Sequence, residues 1–246
     1  LDTTFPAADG SGGLRAAVDR LVAEAIAAVE GGAGILILEG SAAGSHRVPV
    51  PSLLATGAVH QALAERRLRS HTALVVVADD VFDVHAFATL LGYGADAICP
   101  ALALATVAGE ADTADDGDLT SPEAQGRYQA AVEAGVLKIL SKMGICTVDS
   151  YRGAQIFEIV GLGPEVVDVC FTGSPNVVGG IGWEALGQDV LGRHAAAWGE
   201  PVNLESPGFY RVRKGGEPHS KDKDTTQALN DLALVQETVD NGQDRD

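Results

Sequence analysis

The sequence predicts an α/β fold in which helices cover a parallel sheet. Two observations carry the prediction. Helical and strand-like runs alternate at tight spacing from Gly13 to Pro100, and the strand-like runs "GILILE" and "TALVVV" are short and almost wholly apolar, as buried strands are.

Element by element, Leu14, Val18, Leu21, Val22, Ala25, Ile26 and Val29 recur at helical spacing, and Gly31 and Gly32 stop the run. "GILILE" follows as a buried strand. "VPVPSLLATGAVHQALAERRL" opens on prolines, aligns Leu53, Leu54, Ala58 and Leu63 along one face, and ends among Arg66, Arg67 and Arg69, cations suited to a helix C-terminus. "TALVVVADD" then reads as a strand, "DVFDVHAFATLLGYG" as a helix and "ADAICP" as a short buried strand.

The stretch "GEADTADDGDLTSPE", Gly109 to Glu123, holds acids, Gly and Thr with almost no large apolar group, which predicts an exposed loop and an internal hinge. Helical spacing resumes in "SPEAQGRYQAAVEAG", with Ser121 as cap, Pro122 in the first turn and Gly135 as stop. "VLKILSKMG" reads as a further short helix, "ICTVD" as a strand, "YRGAQIFEIVGLG" as a helix and "EVVDVCF" as another strand. Trp183 to Trp198 reads as a helix whose acidic start and Arg193/His194 end suit its dipole. Periodicity fades past Glu200, apart from a helical run from Thr226 to Val239, so residues 1–200 read as one domain and 201–246 as a connector into a second.

Composition excludes several classes. With 34 acidic residues against 17 Lys plus Arg, the net charge of −17 repels phosphate backbones and anionic membranes, so no nucleic acid and no membrane is expected among the partners. The same charge suits a plainly soluble surface or a salt-rich cytoplasm. No apolar run approaches the roughly 18 residues of a membrane helix, and no charged-then-apolar leader precedes Leu1, so the chain is expected to be cytoplasmic and reads as a piece of something longer. Cys99, Cys146 and Cys170 each lie in an apolar run, the setting of buried, reduced thiols.

Motifs for common chemistries fail on spacing. "LGYGADA" and "VGGIGWEA" lack the strand and the GxGxxG order of a dinucleotide site; no Walker sequence, CxxC, HExxH or GxSxG occurs. Neither a bound cofactor nor a metal is expected in this chain. His85, at the start of an apolar helix face, is either hydrogen-bonded in the core or turned to a site.

One stretch stands apart. "SKMGICTVDSYRGAQIFEIVGLG", Ser141 to Gly163, gathers Lys142, Ser150, Tyr151, Arg152, Gln155 and Glu158 around an expected strand and helix, where parallel-sheet proteins build sites. A structural reading competes: Ser150 as cap, Arg152 and Glu158 as ion-pairing surface groups, Gly153 for close packing.

This stretch, preceded by "GVLKIL", resembles a segment near the end of the central domain of the glutamine-dependent glutamate synthase large subunit. "PSLLATGAVHQAL", "HAFATLLGYGADAICPALAL" and "VDVCFTGSPNVVGGIGWEAL" resemble further segments in the family's order, so the likeness covers most of Leu14 to Val190. "GFYRVRKGGEPH" resembles the family's entry into its FMN-binding synthase domain. The resemblance implies a parallel (β/α) barrel-like domain, or an incomplete TIM-type barrel, with an irregular C-terminal extension. It also implies glutaminase and FMN synthase domains or subunits as partners, with FMN and an iron–sulfur cluster in the complete enzyme.

What the resemblance implies for the residues is a passage rather than a reaction centre. Lys142, Ser150, Tyr151, Arg152, Gln155, Glu158 and His85 become candidates for the wall of an ammonia route or a domain interface. By the same resemblance no catalytic residue is expected here: Leu1 stands where the family's glutaminase needs a Cys nucleophile, and three scattered cysteines lack the cluster's spacing. The early half departs from the family, with Phe82 at an Arg position and Ala86 at a second His. Two other readings remain: a stand-alone assembly module derived from that domain, and an independent barrel enzyme clamping a small anionic substrate with Arg152 and Lys142.

Overall fold

The computed structural model describes residues 1–113, 119–199, 208–209 and 211–243. The chain divides into two units, residues 1–199 and 200–246.

In the first unit, Thr4–Pro6 (β1) is followed by the helix Gly12–Glu30 (α1), the strands Ile35–Glu39 (β2) and Arg47–Pro49 (β3), and the helix Ser52–Glu65 (α2). Ala73–Val77 (β4), Val84–Gly92 (α3) and Ala97–Cys99 (β5) come next, then Ala101–Thr113 (α4), Ser121–Met143 (α5) and Val148–Tyr151 (α6). Gly161–Leu162 (β6), Pro164–Cys170 (α7), Gly180–Ile181 (β7) and Trp183–Ala197 (α8) complete the unit.

β2, β4 and β5 form a parallel sheet in that order, with Leu36 opposite Leu74, Leu38 opposite Val76 and Val77 opposite Cys99. Leu1 to Thr3 runs beside β2: the Glu39 N–H donates to the Leu1 carbonyl at 3.1 Å and the Thr3 N–H to the Glu39 carbonyl at 2.9 Å. β1 and β3 pair antiparallel, and β6 and β7 form a separate two-residue parallel pair. Because the parallel strands are sequential neighbours, right-handed crossovers put α2 and α3 on one face. There Leu36, Leu38 and Leu74 pack with Leu14, Val18 and Leu21 of α1 and with Val59 and Leu63 of α2, while Val76 packs with Phe87 and Leu90 of α3. The sheet does not close, so no barrel forms among the described residues.

The strands that would have extended the sheet are other structures. "ICTVD" is not a strand: Gly144 ends α5 in the left-handed region at φ 69, and Thr147 caps α6, its hydroxyl accepting from the Ser150 N–H at 3.3 Å. "YRGAQIFEIVGLG" is not a helix, because Gly153 and Gln155 adopt φ 70 and φ 53 and break the run. "EVVDVCF" is the helix α7, started by Gly163 and by Pro164 in its first turn, with Val166, Val167 and Cys170 buried on one side. β-branched residues alone do not make a strand where a helical stripe buries more.

Other boundaries also move. α5 runs straight through Gly135, because a Cβ there would lie 2.4 Å from the Val84 side chain: the glycine lets α5 approach α3 and stops nothing. Thr120, not Ser121, caps α5, donating from its N–H to Glu123 Oε2 at 3.0 Å. The expected loop and hinge after Gly109 begins later, since α4 continues to Thr113; residues 114–118 lie outside the described residues. Only Cys170 is buried. Cys99 and Cys146 are exposed, because the outer face of β5 and the turn before α6 carry no covering layer.

In the second unit, Lys223–Gln243 forms a helix (α9) that contains the expected helical run, with Asp222 accepting from the Thr225 N–H at 2.7 Å. Of the connector expected from residue 201, residues 201–207 and 210 lie outside the described residues. Among the described residues, no helix is long and apolar enough to cross a membrane.

Two glycines give opposite expectations. At Gly57 a Cβ would lie 2.2 Å from the Cys170 carbonyl oxygen, at the crossing of α2 and α7. Gly109, inside α4, faces open space. Gly57→Ala should lower the free energy of unfolding by about 1–3 kcal/mol, and Gly109→Ala should raise it by about 0.5–1 kcal/mol. Urea denaturation of both variants checks this; equal shifts would refute the close-approach account.

Candidate functional site

The carboxyl end of β4 opens into a cleft of about 1000 Å³. Its walls come from the turn after β4, the first turns of α2 and α3, the connector Phe157–Leu162 and one side of α8. Chain crossings at strand ends leave such space because loops, not packed helices, bound it.

The local structure explains why polar groups gather at the rim. Asp80 Oδ2 accepts from the Ser52 N–H at 2.9 Å, placing a carboxylate at the positive end of α2, and Asp83 Oδ1 caps α3 by accepting from the Ala86 N–H at 2.8 Å. With α3 started there, His85 and Thr89 turn toward the cleft. The Thr89 hydroxyl is used up within α3, donating to the Ala86 carbonyl at 2.9 Å. Asp79 and Glu158, both exposed in the lining, have no hydrogen bond or ion pair among the described residues.

An aromatic cluster forms the floor. Phe157 stacks on Tyr93 at 5.7 Å between centroids and meets His85 edge-on at 6.3 Å; Tyr93 meets Phe171 at 4.7 Å and shares a 2.7 Å hydrogen bond with Ser174. Gly92 makes room for Phe157, whose ring would lie 2.5 Å from any Cβ at that position. The basic side chains on the α8 side are engaged: Arg193 pairs with Asp189 at 3.0 Å, and His194 Nε2 meets the Gly44 carbonyl at 2.8 Å.

Of the residues singled out in the sequence, the structure brings only His85 and Glu158 into this cleft. Tyr151 is 2% exposed in an apolar cluster with Ala88 and Leu140. Ser150 is exposed and accepts from the Thr147 hydroxyl at 2.9 Å; Lys142 is exposed in the last turn of α5. Gln155 is exposed, its amide nitrogen reaching toward Gly173.

Arg152 lies at the opposite, amino end of the sheet, in a cluster the sequence did not reveal. Asp96, just before β5, accepts from the Leu74 N–H at 2.7 Å and pairs with Arg69 at 2.7 Å and Arg152 at 2.6 Å. Arg69 also donates to His60 Nδ1 at 2.9 Å and to the Gly94 carbonyl at 2.7 Å. Burial alone would raise the Asp96 carboxyl; the Leu74 N–H and the two guanidiniums outweigh it and hold the group below its ordinary range. Burial, then the charges of Arg69 and Arg152, push His60 down to about 4. Nothing in the spacing announces this cluster, since its members come from four separate segments. The aromatic floor was partly legible as apolar periodicity, but its convergence was not.

A family model described as the glutamate synthase central domain matches residues 1–163. The chain is similar to the ferredoxin-dependent glutamate synthase of Pyropia yezoensis, 39% identical over 242 residues, which cover 93% of this chain and 16% of that protein. It is also similar to the NADH glutamate synthase of Schizosaccharomyces pombe, 37% identical over 94% of the chain and 11% of that protein. The NADPH glutamate synthase large chain of Bacillus subtilis is 39% identical over 82% of the chain and 13% of its own length. The chain thus spans about a sixth or less of these relatives.

The Asp96 cluster generates two predictions. Folded His60 holds its proton only below about 4, against about 6.5 when unfolded, so the unfolded state binds more protons between those values and stability falls as pH drops through that window. His60→Gln should flatten the fall in melting temperature between pH 6.5 and 4; parallel curves would show that His60 is not responsible. Arg152→Ala, which leaves one oxygen of Asp96 without its 2.6 Å partner, should cost about 1.5–3 kcal/mol in urea denaturation, and a loss near zero would mean that the pair only decorates the surface.

Proposed function

The chain belongs to the glutamate synthase central domain family, and we propose that it serves as scaffold and ammonia conduit between a glutaminase and an FMN-dependent synthase domain in L-glutamate biosynthesis. One observation carries this reading: the cleft is walled mainly by apolar side chains, and Arg193 and His194, the cation and the imidazole on its α8 side, are already paired. Ammonia takes a proton in bulk water and loses its nucleophilicity, so a passage of low polarity protects it. A site built for covalent chemistry would instead set a nucleophile against a base.

FMN and an iron–sulfur cluster belong, in this reading, to neighbouring domains. The cysteines here do not fit a cluster: Cys99, Cys146 and Cys170 sit on separate elements, and Cys170 is enclosed with its thiol pushed up by burial to about 12, the reverse of what a thiolate ligand needs. Nor does the cleft offer FMN phosphate an unpaired guanidinium; its free ionised groups are carboxylates. An anion clamp of Arg152 and Lys142 finds no support, because Arg152 is committed to Asp96 and Lys142 stands on the surface of α5.

The outer face of the sheet, exposed at Ile35 and Ile37, supports the scaffold half of the proposal and would equally suit an assembly module docking on separate subunits.

The conduit half is tested by narrowing the cleft in the enzyme assembled with its glutaminase and synthase parts. Val160, exposed in the lining, can accept a large ring. Val160→Trp should lower glutamate formed per glutamine hydrolysed several-fold while synthesis from added ammonium is kept. An unchanged ratio would sink the conduit reading.

A further inference from the structure

A parallel sheet is stable in water only when both faces are covered, and its usual cover is a layer of helices on each side. Among the described residues α1, α2 and α3 cover one face alone. On the other, Ile35 is 63% exposed and Ile37 47% exposed. Val75 lies beside Ile37 in register, with Ala97 beyond it, so two strand rows of the open face are wholly apolar.

The next row toward the carboxyl end changes character. Glu39, Val77 and Cys99 stand side by side there, Glu39 and Cys99 exposed. Asp79 follows two residues past β4, and neither it nor the Glu39 carboxylate has a cation partner among the described residues. Val77 also lines the cleft, so the open face and the cleft are continuous. The surface is therefore an aliphatic floor with an acidic border on one side.

We propose that this face is a docking surface for an amphipathic helix of another polypeptide segment, presenting aliphatic side chains to Ile35, Ile37 and Val75 and Lys or Arg side chains to Glu39 and Asp79. A helix is the element that covers parallel strands, and a basic flank is what the border selects. A second copy of this chain is the wrong complement, because two bodies of net charge −17 repel. The assignment holds whether or not ammonia crosses the cleft, and its test does not involve turnover.

The probe is an amphipathic Leu/Lys peptide of about 14 residues, roughly four helical turns, compared with a Leu/Glu counterpart. Cys99 on the open face reports occupancy through its rate of alkylation by iodoacetamide, and exposed Cys146, outside that face, serves as internal reference. Both are followed by mass spectrometry on the whole chain. With the Leu/Lys peptide at about ten times its dissociation constant, Cys99 alkylation should slow about tenfold, Cys146 should be unchanged, and the Leu/Glu peptide should do nothing. Ile37→Lys should abolish the protection, and Glu39→Gln with Asp79→Asn should weaken it and its salt dependence. Equal protection of both cysteines, or protection surviving Ile37→Lys, would overturn the proposal. Cys99 protection that rises with chain concentration and no peptide would also overturn it, by showing a second copy in the seat.

Discussion

The one-sided cover of the parallel sheet is the constraint on which the other features rest. Leu36, Leu38, Leu74 and Val76 point one way by strand alternation, and α1, α2 and α3 seal them. Two sequential crossovers of the same hand put α2 and α3 on that one side, and among the described residues Ile35 and Ile37 on the other stay exposed. The carboxyl ends of the strands must then open on loops, which creates the cleft, and the alternate residues Ile35, Ile37 and Val75 are left facing outward.

The Asp96 cluster does for the amino end what the apolar core does for the middle. One carboxylate joins the backbone of β4, the turn after α2 through Arg69, and the stretch after α6 through Arg152. Fixing Arg152 there forces the following residues to travel along α3 toward the cleft. That path takes Phe157 onto Gly92 and brings Glu158 to the rim. A clamp at one end of the sheet thereby shapes the wall at the other. Arg69 meets His60 as well, so the clamp favours a neutral imidazole between α2 and the sheet.

The early elements were legible because their signals agree with one another. α1, β2, α2, β4, α3 and β5 each combine a clear period with a turn or cap at its end, and tertiary packing had nothing to overrule. Past Gly135 the signals conflict. Gly135 reads as a stop yet serves a close approach to Val84, and Val166 and Val167 favour a strand yet bury best on a helix begun by Pro164. Gln155 takes a left-handed conformation that sequence gives to Gly far more readily, so the break of the helix was hidden. The site was legible only where local structure makes it: His85 follows from the cap at Asp83, but the meeting of Asp96 with Arg69 and Arg152 depends on the sheet being folded first.

The same contrast separates Phe82 from Tyr151 and Arg152. Phe82 and Ala86 sit at the start of α3 near the loop ends that bound the cleft; Phe82 is mostly exposed, and its carbonyl still receives the Tyr128 hydroxyl at 3.0 Å whatever the side chain is. Phe82 lies outside the cleft lining, so a change of its side chain leaves both the lining and the Tyr128 hydrogen bond intact, whereas Ala86 packs against the Phe87 and Leu90 cluster. Tyr151 and Arg152 have no such freedom. One fills the space between α3 and α5, and the other closes the charge on Asp96, so replacement of either would disturb packing before it touched any passage. A residue can therefore look like part of a site because it is polar and stands among other polar groups in the sequence, when what holds it in place is the mechanics of the fold.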